Sequence, residues 1–310
     1  MIATASAFEA PYQDNGVLTN LISKMETCRT RWCEPDEGPS SCRLYSPYIP
    51  IVQASMMGKT RMFFTLPQFD VFVFYLCLRE EKSSGYPRSI PLLTKALTGP
   101  CTEGFYSAFL LAALDALNKF KNEFRGGNTV FSAWFLEQQR PEFWKEIIDR
   151  ANSEASSENF LFDPKIDREQ AYASYSITLN GVFHDRLAPL SLLQDNIVFV
   201  FDEARILLES QGSRDCNFIE LRRALTHFPS STEIRCPLSL MTDTVAKVSN
   251  LAPLQKADPS GRATAMPNGI FPPFFLLANV DIWVEEDDPP RTLADMADPR
   301  YYCRYGRPHW

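Results

Sequence analysis

The sequence predicts an α/β protein built on a mainly parallel sheet covered by helices on both faces. Three observations lead there. VFVFYLCL (71–78) and IVFVF (197–201) are apolar at consecutive positions and rich in β-branched and aromatic residues, which is the pattern of strands buried on both faces. Long stretches with apolar residues at helical spacing lie between such runs. Strand and helix patterns also alternate along the chain, as a parallel sheet requires. At about 150 residues per domain, 310 residues correspond to two domains or to one large domain carrying an insertion.

Residues 1–46 read as a polar, broken N-terminal extension, with CEPDEGPSS at 33–41 as a turn-rich loop. The first strand is Tyr48–Val52. The loop QASMMGKT and the helical start RMFFTL follow, and Pro67 cuts that helix off. The second strand is Asp70–Leu78. Residues 80–195 read as a mainly helical insertion. Its clearest helix runs from Glu103 to Phe124, with Phe105, Phe109, Ala112, Ala113, Leu117, Phe120 and Phe124 on one stripe and Gly126-Gly127 at its end. A further helix is expected from Pro141 to about Ala151. The third strand, Asn196–Phe201, ends in Asp202-Glu203, and Asp215 is the expected N-cap of the next helix. A fourth strand (Cys236–Thr242) and a fifth (Phe274–Val280) complete a discontinuous core of residues 47–79 and 196–285. Residues 286–310 form a C-terminal segment, and its abrupt end at Trp310 is what a truncated chain would show.

Apolar residues at 45% and charged residues at 22% exclude a wholly disordered chain, a collagen repeat and a coiled coil. The 31 Lys and Arg against 38 Asp and Glu leave a net charge of -7, which repels polyanions and disfavours nucleic acid as a partner. No basic, apolar signal opens the chain, and its longest apolar run falls far short of the roughly 18 residues of a membrane span. Eight cysteines without a CxxC pair read as reduced thiols, so an intracellular site, cytoplasmic or nuclear, is expected. Cys28, Cys33 and Cys42 lack a fourth zinc ligand, since no His precedes His184.

The chemistry concentrates at two strand ends. Gly58-Lys59-Thr60 sits between a strand and a helix, where backbone N–H groups face an anion, and a phosphate loop over Gln53, Ala54, Ser55, Met56, Met57, Gly58, Lys59, Thr60 and Arg61 is one reading. A plain strand-to-helix turn is the other. The pattern GxxxxGK followed by Ser or Thr would place Gly where Gln53 stands, and Met56 takes a second position that is often Gly. Downstream, a buried strand ending in two carboxylates suits a ligand outside the carboxyl ends of a parallel sheet. Asp202 and the Thr60 hydroxyl offer Mg2+ hard oxygens, and Glu203 is the expected base. The alternative is that Asp202-Glu203 caps the next helix. GxSxG, HExxH and GxGxxG are all missing from the sequence. His184, beside Val182 and Phe183, reads as structural, and His227 as satisfying terminal carbonyls of a helix.

VQASMMGKTRM, VFVFDEA and LSLMTDT resemble the Walker A, Walker B and sensor-1 elements of P-loop NTPases of the AAA+ and STAND kind. More narrowly, the combination resembles NTPase-like modules of large fungal proteins, some allied to Crinkler-type proteins, which carry SSGxGKSR early and a GRPLW-like segment late. This chain ends RYGRPHW. The resemblance implies strand order 5-1-4-3-2, ATP and Mg2+ as ligands, and slow hydrolysis that drives a switch with protein partners or self-association. It implies Lys59 on the β- and γ-phosphates, Thr60 and Asp202 on Mg2+, Glu203 as base and Thr242 as the sensor polar group, with Asp243 an awkward neighbour for a phosphate. Arg304 and Arg307 become charge stabilisers in phosphoryl transfer, or else ion-pair partners of the acidic run 285–288. Gln53, Met56 and Met57 instead fit a degenerate nucleotide-binding scaffold or effector-type interaction module without turnover, because bulk in such a loop keeps backbone from the anion.

Overall fold

The computed structural model describes residues 16–34, 44–52, 58–80, 87–140, 142–157, 160, 168–191, 195–209, 216–243, 269–275 and 292. Their centre is one all-parallel sheet of four strands, β1 (Tyr48–Val52), β2 (Val71–Cys77), β3 (Asn196–Asp202) and β4 (Leu238–Asp243), in the order β1-β4-β3-β2. Nearly every described strand side chain is buried, whichever face it points to, so the sheet is covered on both sides. Continuous apolar runs form it for that reason.

Pro50 is tolerated inside β1 because of register. Ser239 donates to the Pro47 carbonyl, so odd residues of β1 face β4 and even ones face away. The N–H that proline lacks therefore costs no β1–β4 bond. On that outer side Phe274 forms a parallel bridge with Ile51, donating to the Pro50 carbonyl at 2.8 Å and accepting from the Val52 N–H at 3.1 Å. The expected fifth strand continues to Val280 over residues that lie outside the described ones.

The other edge is closed by a side chain. Gln138, 5% exposed, accepts from the Tyr75 N–H at 3.1 Å and donates to the Val73 carbonyl at 2.6 Å, so its amide pairs with β2 as a neighbouring peptide would. It ends helix α5 (Val130–Glu137), which packs along β2.

The described residues between β2 and β3 are mainly helical: α3 (Pro91–Thr98), α4 (Glu103–Glu123), α5, α6 (Phe143–Ala155) and α7 (Arg168–Ser191). Thr102 caps α4 by accepting from the Phe105 N–H. After β3 comes α8 (Asn217–Leu225), whose N-cap position is Cys216 without a side-chain cap; Asp215 lies outside the described residues.

One expectation is corrected. The supposed extension contains α1 (Val17–Cys33), with Leu18, Leu21, Met25, Cys28 and Trp32 buried in the core. Trp32 and Arg29 tie it to the approach to β4 by donating to the Pro229 and Cys236 carbonyls. Among the described residues no helix is long and apolar enough to cross a membrane.

Candidate functional site

The carboxyl ends of β1, β4 and β3 lie side by side, with Ile51 opposite Thr242 and Thr242 opposite Asp202. Beyond β1 the chain enters α2 (Lys59–Thr65) through Gly58, at φ 78°, a left-handed conformation that favours glycine. Lys59 and Thr60 thus begin a helix at the sheet's carboxyl edge, and Lys59 is only 5% exposed.

Residues 142 positions apart meet here. Thr60 Oγ1 donates to Asp202 Oδ2 at 3.3 Å, and the Tyr75 hydroxyl, reaching across from β2, donates to the same oxygen. Asp202 Oδ1 accepts from the Glu203 N–H at 3.1 Å. Asp202 is 1% exposed, and a carboxylate that deep needs such donors. Burial, and then the neighbouring carboxylate, push the Tyr75 phenol well above its ordinary range, so it stays protonated and donates.

Glu203 leaves β3 at φ 60° and ψ 42°, a left-handed backbone that costs a non-glycine residue about 1–2 kcal/mol. Strain of that kind gathers at working sites. Its carboxylate does not cap the following 3-10 turn, Ala204–Leu208, so the capping alternative does not hold for Glu203. Instead Arg79 Nη2 stands 3.7 Å from Oε1 and Arg205 Nε 3.9 Å from Oε2.

Thr242 is fully buried, and its Oγ1 has no hydrogen-bond partner. A buried hydroxyl left unpaired costs about 1–3 kcal/mol, so this one stands ready for a ligand or water. The oxygens of Asp202 and Thr60 suit Mg2+, which is held by one or two carboxylates and otherwise by water and phosphate oxygens. Among the described residues no group of three or more His, Cys, Asp or Glu is placed to hold a metal ion.

Gln53, Ala54, Ser55, Met56, Met57, Arg304 and Arg307 lie outside the described residues, as do Cys42 and the acidic run 285–288; Arg61 follows Thr60 in α2, half-buried. Sequence reasoning missed Tyr75 and Arg79. Tyr75 is hidden in an apolar run and Arg79 is the last residue of the first core segment, and only the β2–β3 register, Cys77 opposite Asp202, brings them to the site.

The histidines also depart from expectation. His227 does not serve helix-terminal carbonyls. Its Nε2 lies 2.7 Å from Glu103 Oε1 and its Nδ1 3.1 Å from Asn180 Oδ1, inside a cluster that joins α4, α7 and α8. His184 is half exposed, while its neighbour Phe183 enters the core.

Residues 36–277 match a family model described as "Domain of unknown function (DUF8735)". No curated protein and no solved structure matches the chain.

Proposed function

We propose that this chain, which belongs to the DUF8735 family, binds ATP with Mg2+ at the carboxyl edge of its sheet and hydrolyses it slowly to ADP and phosphate, as a conformational switch. The Thr60–Asp202 hydrogen bond carries the reading: it joins the helix start after β1 to the acidic end of β3 across an intervening β4. In this reading the sheet is that of a P-loop NTPase in the order 5-1-4-3-2, and the Ile51–Phe274 bridge supports a fifth position beside β1. Lys59 takes the β- and γ-phosphates. Thr60 and Asp202 hold Mg2+, which when bound neutralises charge developing on the phosphoryl oxygens. Glu203 takes the proton of the attacking water, and the orphan Thr242 hydroxyl donates to a γ-phosphate oxygen. The phosphate loop from Gln53 to Met57 and the arginines Arg304 and Arg307 belong to the same proposal, as do protein partners or self-association as the switch's output.

A second reading, a nucleotide-binding scaffold without turnover, is favoured by the two arginines that flank the Glu203 carboxylate. Both carboxylate oxygens then face a guanidinium rather than an attacking water. Glu203→Gln separates the readings. In an enzyme, steady-state phosphate release falls by about 10²–10⁴-fold while affinity for an ATP analogue stays within about twofold. A wild-type protein that binds ATP but releases no phosphate above the Glu203→Gln background is the scaffold.

A further inference from the structure

The Asp202 carboxylate is oriented unequally. Oδ1 turns to the backbone N–H of Glu203, whereas Oδ2 takes two hydroxyl donors, Thr60 Oγ1 and the Tyr75 phenol. A carboxylate oxygen carries two lone pairs, so two donors fill it. A cation held jointly by Thr60 and Asp202 must lie beside Oδ2, because that is the oxygen Thr60 touches. The Thr60 hydroxyl donates to the carboxylate while keeping a lone pair for the metal. With Thr60 on one lone pair of Oδ2, the Tyr75 phenol takes the other and so occupies the place of a metal or of its bound water.

The phenol is held from behind. Gln138 fixes the Tyr75 N–H at the strand edge, and the ring packs edge-on against Phe64 at 5.1 Å between centroids. Space to withdraw adjoins it, since a cleft of about 320 Å³ is lined by Tyr75, Phe64, Ile90, Phe135 and Gln138.

We propose that Tyr75 is a positioning residue that gates the metal position of Asp202: its phenol caps Oδ2 and must leave that oxygen before a divalent cation is received. The inference rests on the reading of Asp202 as a metal ligand. Tyr75 thereby sets the affinity for the cation, and metal loading is coupled to the cleft, because the ring that releases Oδ2 moves toward it. Filling the cleft would hold the cap in place.

Direct Mn2+ titration without nucleotide, followed by the loss of the free-ion electron paramagnetic resonance signal, tests this. Tyr75→Phe is expected to bind Mn2+ at least fivefold more tightly than the wild type. Tyr75→Leu, which also lacks the hydroxyl, is expected to do the same, and circular dichroism melting checks that both are folded. Asp202→Asn is expected to abolish binding in the wild-type and Tyr75→Phe backgrounds alike. Affinity in Tyr75→Phe equal to or weaker than wild type, no binding in either included, overturns the gate. Binding that survives Asp202→Asn overturns the metal-ligand reading and the gate with it, so the two failures are told apart.

Discussion

Lys59→Ala is expected to weaken Mg2+-ATP binding by at least about a hundredfold, the largest loss of nucleotide affinity predicted for this chain. Two charge-assisted hydrogen bonds to phosphate oxygens are worth about 1.5–3 kcal/mol each, and every 1.4 kcal/mol is a factor of ten in affinity. Burial enlarges the effect, because at 5% exposure the ammonium acts on the ligand with little screening by water. Lys59→Arg keeps the charge but brings a planar fork in place of a compact ammonium, so intermediate affinity is expected. Calorimetric titration with a non-hydrolysable ATP analogue, with and without Mg2+, measures all three proteins. Unchanged affinity in Lys59→Ala sinks the phosphate-loop reading. The melting temperature checks that the Lys59→Ala protein, changed at the first position of α2, is folded.

The sheet was legible in the sequence because burial on both faces leaves an uninterrupted apolar run, and Asn196–Asp202 and Val71–Cys77 are such runs. The first four strand positions matched within about two residues, and a mainly parallel sheet followed from the helices between them. The pairing of Thr60 with Asp202 was also legible, since residue type and strand-end position together restrict what a hydroxyl and a carboxylate can do there. Contacts set by register were not. Tyr75 reaches Asp202 only because β2 neighbours β3, and nothing local to VFVFYLC tells an inward phenol from another core ring. Gln138 mimics a peptide at the strand edge 63 residues away, a relation with no sequence period. The α1 helix is a different kind of miss. Leu18, Leu21, Met25, Cys28 and Trp32 recur at intervals of three and four, a helical stripe that was present but obscured by the polar residues between and the turn-rich loop after it.

The largest expected loss of stability lies away from the proposed nucleotide site, at His227→Ala. His227 is fully buried, and its ring is the nearest partner of Glu103 Oε1 at 2.7 Å; Tyr172 donates to that oxygen at 3.1 Å. The Glu103 N–H is bound to Glu220 in the first turn of α8 at 2.8 Å, so the start of α4, α8 with His227 just beyond it, and Asn180 of α7 share one network. Truncating the imidazole leaves a carboxylate in a nearly dry site without its closest partner, and it opens a void where Phe183 and Tyr175 packed on the ring. Losing the hydrogen bonds of a buried ring and leaving a void costs about 3–5 kcal/mol, or roughly 5–10 °C in melting temperature for a chain of this size. Glu103→Gln keeps a hydrogen-bonding oxygen and an amide at the same place, so it should cost less than His227→Ala. Combined with His227→Ala it should recover part of the loss, since the stranded charge is gone. A double-mutant cycle read by urea unfolding measures that coupling directly. A coupling near zero, with His227→Ala costing under about 1 kcal/mol, would mean that the apolar contacts among α4, α7 and α8 hold these helices without the polar network. The network is the stronger expectation, because apolar contact is indifferent to register, whereas two ring nitrogens facing two oxygens admit one arrangement of three helices.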